Sequence, residues 1–306
     1  MAQHHSLIWQ RRTLFAIAIA AASFTFGLLI PALKGNSPKT ANGIQIKLDL
    51  NNQDPDPIQA KSLALSDAKV FQNLVANLER LEQEQKRIYD FSLPQAFQGK
   101  TIKSVRVPAE RKVIALTFDD GPWPGTTNDI LYILKKNNIK ATFFFLGRNV
   151  QNFPELAKIV VNHGHVLANH TWSHPYRQHS EAAAASEINR TTEIIYKLTG
   201  AKSVLFRPPG GYLTNGLATY AAKQNQSVVM WSADSQDYRT SSANMVRNVL
   251  RDASPGGIVL MHDGGGDRRK TVNALPVIID KLKTQGYEFV TVPELMEMQK
   301  QPVANR

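Results

Sequence analysis

The chain has 306 residues, 42% hydrophobic and 20% charged, with 18 Gly and 16 Pro. These proportions exclude a fibrous repeat, wholesale disorder and a short disulfide-stapled module, and they fit one large domain with an appendage or two modest domains. Cysteine is absent, so disulfides, thiolate nucleophiles and thiolate metal ligands are excluded, and any metal must be held by His, Asp or Glu. A formal charge of +11 suits phosphates, but equally anionic lipid headgroups or an acidic cell wall. The longest basic clusters are only Arg268–Lys270 and Arg11–Arg12, and no nucleic-acid signature accompanies them. Nucleic acid is therefore not an expected partner.

Thr13 to Leu33 is a run of 21 residues without a charge, which at ~1.5 Å per residue approaches the ~30 Å of a bilayer core. It reads as a signal anchor forming a transmembrane helix over 1–33, with a cleaved signal peptide as the alternative. Arg11 and Arg12 are matched by Lys34, Lys39 and Lys47, so local charge barely sets the orientation. The short N-terminal tail still places the bulk of the chain outside the cytoplasm, or secreted if the signal is cleaved. Residues 34–107 read as a linker and stem. Asn, Pro and Asp cluster at 51–57, and Phe71, Leu74, Leu78, Leu81 and Ile88 then recur at helical spacing. That stripe predicts a helix packing on its own chain or spacing the domain off the membrane; a dimerising stalk is the less favoured outcome.

From Lys112 strand and helix alternate. Candidate strands run at Val113–Phe118, Ala141–Leu146, His165–Ala168, Val204–Phe206, Val228–Ser232, Ile258–Met261 and Phe289–Val292. The intervening helices are Asn128–Lys136, Pro154–Asn162, Ser186–Leu198, Leu217–Lys223, Ala243–Asp252 and Val272–Lys283, with Glu294–Lys300 last. Alternation of this kind predicts a parallel sheet covered by helices. The expected α/β fold is a distorted or incomplete (β/α) barrel of about seven parallel strands, occupying 108–300. Polar residues fall where the strands end, at Asp119, Asp120, His170, His174, Arg207, Asp234, Asp237 and His262. In such barrels that face carries the site.

Asp119 and Asp120 leave an apolar strand and meet Gly121-Pro122 at once. Like charges so close call for a cation or a shared proton, so one carboxylate can bind metal while the other handles protons. Five of the eight histidines lie between His163 and His179. His170 and His174 are four apart, which on a helical turn aims both imidazoles one way; with one Asp and open positions they would suit zinc or another first-row divalent ion. His163, His165 and His179 are expected on loops or helix surfaces. Arg207 can clamp a carboxylate and keep it ionised, with Asp119 its natural partner. After Pro208 and Pro209, Gly210 offers the first free backbone N–H, a plausible oxyanion donor. His262 ends a buried strand and would act as a general acid oriented by Asp237 or Asp234.

Together these residues resemble the polysaccharide deacetylase family, the NodB-homology or family-four carbohydrate esterases. The resemblance covers about 112–293 and rests on five motifs in the family's order. They are T-F-D-D-G-P at 117–122, H-T-x-x-H at 170–174, R-P-P at 207–209, D-S-x-D at 234–237 and L-M-H at 260–262. The resemblance implies a divalent cofactor, usually Zn2+ with Co2+ or another first-row ion possible, held by Asp120, His170 and His174. It makes Asp119 the base, Arg207 its orienting partner, and His262 the acid that protonates the leaving amine with Asp237 tuning it. Gly210 would share the developing oxyanion, Leu260 would line the acetyl pocket, and Tyr238 and Trp231 would contact the sugar. Two departures stand out: Tyr238 replaces the usual Trp, and Gly210 stands where Tyr is common. Substrate choice is what they touch. The expected activity is metal-dependent removal of N-acetyl groups from an acetylated polysaccharide, N-acetylglucosamine of peptidoglycan first. Chitin-type oligosaccharides, an exported polysaccharide or acetylxylan are the alternatives within the class, and a silent carbohydrate-binding protein on the same scaffold is the alternative outside it.

Overall fold

The computed structural model describes residues 92–299, together with 70, 72–77 and 79. Residues 72–77 are helical, inside the stretch where a stem helix is predicted. The segment 13–33, the 51–57 linker and the remaining stem-helix positions lie outside the described residues, whereas 92–107, expected within the linker and stem, are described and carry a strand of the sheet at Thr101–Ile102 and the core residues Leu93, Phe97 and Val105. Among the described residues no helix is long and apolar enough to cross a membrane.

Nine strands form one sheet: β1 (Thr101–Ile102), β2 (Val113–Asp119), β3 (Thr142–Phe145), β4 (Val166–Asn169), β5 (Leu205–Phe206), β6 (Ser227–Val229), β7 (Ala233–Asp234), β8 (Gly257–His262) and β9 (Glu288–Val290). The helices are α1 (Thr126–Lys136), α2 (Gly147–Asn152), α3 (Pro154–Asn162), α4 (Glu181–Thr199), α5 (Leu217–Lys223), α6 (Ser242–Asp252), α7 (Arg269–Thr284) and α8 (Val292–Met298). Every strand pairing is parallel. Where about seven strands are expected, the described residues form nine. β1 and β7 have two residues each, too few to show a period in sequence.

The sheet order β1-β6-β5-β4-β3-β2-β8-β7 curls back on itself, because β6 and β7 are halves of one run. Between them Met230 N donates to Ile102 O (2.7 Å) and Ser232 N to Ile258 O (3.0 Å). The chain thus leaves one edge of the sheet and joins the other. β2 is distorted in a second way: its residues 113–115 pair with β9, while 117–119 pair with β3. Val292 N donating to Thr142 Oγ1 (3.1 Å) marks where those two neighbours meet end to end. The α/β fold is a curled, distorted barrel, as the alternation predicts.

Side chains alternate across the strands with period two, and this sorts the core. Ile114, Leu116, Phe118, Phe143, Phe145, Val259 and Met261 face outward and pack with Ile130, Leu134, Met245, Val249 and Ile278 of the covering helices. Val113, Ala115, Phe144, Ala168, Leu205 and Ile258 form a second cluster inside the curl, closed from below by Val292, Leu295 and Met296 of α8. Continuing the inward set by steps of two gives Thr117 and Asp119 on β2, His170 after β4, Arg207 after β5 and His262 on β8. The pleat alone therefore brings these polar groups to the carboxyl ends of the strands, above the apolar interior.

Candidate active site

Arg207 is the pivot. Its side chain is fully buried, with Cζ 4.0 Å from the centroid of the Phe144 ring. Nε donates to Val229 O (2.9 Å), Nη2 to Met230 O (3.2 Å), and Nη1 to both Thr117 Oγ1 (2.9 Å) and Asp119 Oδ1 (2.7 Å). Satisfying a buried guanidinium with carbonyls and one carboxylate is what makes its burial tolerable. Burial raises the Asp119 carboxyl above its ordinary range, opposed by the Arg207 charge and by His262. Burial likewise lowers Arg207 from its ordinary value, with Asp119 opposing. Asp119 Oδ1 is thus clamped, while Oδ2 faces His170 Nε2 at 3.7 Å.

Asp120 breaks from the strand with φ of 75°, and this left-handed turn throws its side chain away from the direction the pleat would give it. Its N–H donates to Phe144 O (3.2 Å), and its carbonyl accepts from the buried Asn149 side chain on α2 (2.8 Å). Oδ1 lies 3.3 Å from His174 Nε2 and 3.6 Å from His170 Nε2. It is buried without a hydrogen-bond partner.

The expectation that His170 and His174 share a helical turn is overturned. Both lie in the loop between β4 and α4, where Thr171 has φ of 73° and His174 of 59°. Positive φ at two positions is incompatible with a right-handed helix, yet the ring centroids still come within 5.0 Å. Polar bonds fold the loop. Thr171 N donates to Asn169 Oδ1 (2.8 Å), and His174 N to Thr171 Oγ1 (3.1 Å). Glu187 on α4 accepts from Trp172 N (2.9 Å), Ser173 N (2.8 Å) and Ser173 Oγ (2.8 Å). His170 Nδ1 stands 2.7 Å from Arg207 O. Donation to that carbonyl leaves a lone pair on Nε2, on the side of Asp120. Burial lowers His170 to about 3, so the ring is neutral.

Asp120, His170 and His174 can each present one ligand atom within 4.8 Å of the others. Ligands ~2.1 Å from a shared tetrahedral centre stand ~3.4 Å apart, close to the spacings above. The orphaned, buried Asp120 Oδ1 and a neutral imidazole are the donors a divalent ion requires, so these residues fit a metal.

Across the cavity, His262 Nδ1 is 2.7 Å from Asp237 Oδ1, and Asp237 Oδ2 accepts from His262 N (2.7 Å) and Thr271 Oγ1 (2.8 Å). Of the two carboxylates left open by sequence, Asp237 is the partner; Asp234 instead accepts from Gln236 N (2.8 Å). Burial alone would lower His262, but the hydrogen bond and charge of Asp237 raise it to about 9. Burial alone would raise Asp237, but hydrogen bonding to His262 holds it below the ordinary carboxylate value. The ring is therefore an imidazolium near neutral pH.

Asp119, Asp120, His170, His174 and His262 share a cleft of about 440 Å³, also lined by Gly210, Trp231, Tyr238 and Leu260. Gly210 has φ of 60° and is exposed, and Tyr238 stands with its ring 5.9 Å from His262. Of the site residues singled out in the sequence, Arg207 and Asp237 do not line this cleft; they stand behind it, hydrogen-bonded to Asp119 and His262. Of the other histidines, His165 is buried, accepts from Ala141 N (3.1 Å) and is lowered to about 3 by burial; its role is in the core. Sequence reasoning missed Glu187, Asn149, Thr271 and the cleft-lining Tyr176 and Arg268. Their residue types are ordinary and their partners distant in sequence, so no local signal marks them.

The polysaccharide deacetylase family model matches residues 106–229. A peptidoglycan-N-acetylglucosamine deacetylase of Bacillus cereus is 41% identical over 197 residues, covering 63% of this chain and 72% of that protein. The solved peptidoglycan deacetylase PdaC of Bacillus subtilis is 41% identical, with a TM-score of 0.57 over 64% of this chain and 95% of that one. A CE4 family pseudoenzyme from Bacillus anthracis is also similar, at 30% identity and a TM-score of 0.59 over 65% of this chain and 69% of that one.

Proposed function

Given that the chain belongs to the polysaccharide deacetylase family, we propose that it removes N-acetyl groups from N-acetylglucosamine of peptidoglycan, with a divalent metal held by Asp120, His170 and His174. One observation carries the reading: a buried carboxylate, Asp119, is clamped at one oxygen by Arg207 and free at the other, with an imidazolium lining the same cleft. That is a base and an acid held on either side of one substrate-sized space.

A divalent ion, when bound, supplies Lewis acidity that polarises the acetyl carbonyl and acidifies water. The chain's own groups do the rest. Asp119 Oδ2 takes a proton from the attacking water, its raised proton affinity suiting it to that task. Arg207 fixes Oδ1, so the base keeps one orientation. The Gly210 N–H is offered to the carbonyl oxygen as negative charge develops there. His262 Nε2 gives its proton to the amide nitrogen as the C–N bond breaks, releasing acetate and a free amine, while Asp237 holds Nδ1 and stabilises the charged ring. Leu260 closes the floor of the acetyl pocket, and Tyr238 and Trp231 face the sugar.

Location belongs to the same proposal: segment 13–33 tethers or exports the domain, so that it acts outside the cytoplasmic membrane, where peptidoglycan lies. The decisive experiment measures acetate released by the metal-replete chain from peptidoglycan, chitooligosaccharides and acetylxylan side by side. Fastest release from peptidoglycan is expected. Preference for chitooligosaccharides or acetylxylan would reassign the substrate, and no release from any of the three would overturn the reading.

A further inference from the structure

Because the strands are all parallel, the residues that precede them gather at the end of the barrel opposite the cleft, together with the C-terminal turns of the helices that lead into them. That basal end is basic. Lys112 stands before β2 and Lys140 before β3, Lys135 and Lys136 end α1, and Lys281 and Lys283 lie in the last turn of α7. All of these lysines are exposed. Contacts join them into one patch: Lys283 Nζ donates to Asn137 O (3.3 Å) and Oδ1 (3.0 Å), Lys112 Nζ to Gln285 O (3.3 Å), and Lys140 Nζ to His163 O. Burial lowers the His163 ring from its ordinary value, and the charges of Lys135 and Lys140 lower it further. Glu110, Asp280 and Glu288 stand at the same end, but Glu288 is bound by Arg111 at 2.6 Å, so positive charge prevails.

Lysines in the last turn of a helix complement its dipole, which accounts for part of this pattern. It does not account for Lys112 and Lys140, which precede strands. A second observation concerns where the chain enters the barrel. Leu93 and Phe97 pack with Val292 and Leu295 of α8, which closes the interior from below, and Leu93 shares a groove with Ser203 and Gln226, just ahead of β5 and β6. The polypeptide running back to 13–33 thus joins the barrel at its basic end. The cleft lies at the other end, about 24 Å away along the 16 residues of α7.

Resting on the location proposed above, we infer that this lysine face docks on the anionic lipid headgroups of the membrane to which segment 13–33 tethers the chain. A tether alone leaves a domain free to turn. Each lysine brought near an anionic leaflet is worth about fivefold in affinity, and the attraction fades within a Debye length of ~8–10 Å, so only the basal end gains by approaching. Docking in this sense turns the cleft away from the lipid and toward the polysaccharide outside it.

The chain has no cysteine, so one introduced thiol carries one fluorophore. Thr284→Cys marks the basal end of α7 and Ala243→Cys the N-terminal turn of α6 at the cleft end; both positions are exposed. The labelled full chain is mixed with vesicles of phosphatidylcholine, alone or with phosphatidylglycerol, that carry a headgroup quencher. On the anionic vesicles quenching should be several-fold stronger at 284 than at 243, and the difference should vanish on phosphatidylcholine alone or in high salt. Lys135→Gln, Lys136→Gln and Lys281→Gln combined should weaken docking on the order of a hundredfold, while Lys→Arg at the same positions should preserve it, with unchanged unfolding midpoints in both variants. Equal quenching at the two labels, quenching at 284 that ignores anionic lipid, or Arg variants as weak as Gln would overturn the inference. So would a 284 label shielded by soluble poly(glycerol phosphate) but not quenched by anionic vesicles, which would assign the face to a wall polymer. Flotation with phosphatidylcholine vesicles in high salt scores the tether separately. Lipid-dependent quenching at 284 without such flotation would sink the tether and leave the docking face standing; flotation with equal quenching at both labels would do the reverse.

Discussion

Replacing Asp237 with Asn keeps the size of the group that faces His262 but removes its charge. Burial opposes the charged His262 ring, and Asp237, by hydrogen bond and charge, leads Asp119 and Asp120 in lifting it from 6.5 to about 9, a preference for the protonated ring of about 3 kcal/mol. Without that carboxylate the pKa falls. Loss of the whole lift would take the imidazolium fraction at about pH 8 from ~90% to ~3%. Acetate-release kcat/KM should therefore fall by up to ~30-fold at about pH 8 and by less at about pH 6, where more of the ring is charged. The assay is a pH profile of both proteins on one substrate. The alkaline limb, near 9 in the natural chain, should move to lower pH in the variant. Lost hydrogen bonds to His262 N and Thr271 would depress activity equally at every pH. A ratio of natural to variant rate that is constant from pH 6 to pH 8 would refute the assignment of His262 as acid.

Three further outcomes follow from the same contacts. Arg207→Met should lower stability by ~3–5 kcal/mol, because it strands the buried Asp119 carboxylate; chemical denaturation checks it, and it should also push the acid limb of activity upward. Asp263, fully buried with Thr127 Oγ1 as donor to Oδ2 and no partner at Oδ1, is raised by burial to about 8. The unfolded chain ionises this group near 4 while the folded one keeps its proton, so stability falls as pH climbs between those values. Asp263→Asn should flatten that fall in a series of denaturation midpoints, and an unaltered slope would contradict it. Deleting 1–33 should yield a chain that stays in solution without detergent and retains its acetate release; loss of activity would make that segment more than a tether.

Much of the site was legible because buried parallel strands write themselves as apolar runs. Val113–Phe118, Ala141–Leu146 and Ile258–Met261 each lie within a residue or two of an observed strand, and the polar residue that ends the run names the site. The two-residue strands β1 and β7 escaped because pairing, not composition, makes them strands. α2 escaped for a different reason: Gly147–Asn152, with sequence G-R-N-V-Q-N, offers no apolar stripe, and it is held by the contact of Asn149 with the Asp120 turn. The His170–His174 spacing was read with the helical period, whereas positive φ at Thr171 and His174 delivers the same convergence from a loop. Period arguments see regular backbone only; a turn stabilised by Glu187, a helix away, leaves no local trace. The choice between Asp234 and Asp237 likewise needed the third dimension, since both are polar residues of one short motif.

The most direct measurement of the central claim is acetate release from peptidoglycan by the metal-replete chain and its Asp119→Asn variant, with bound metal quantified in both samples. The account predicts equal metal in the two and release only from the natural chain. Equal release from both would contradict it.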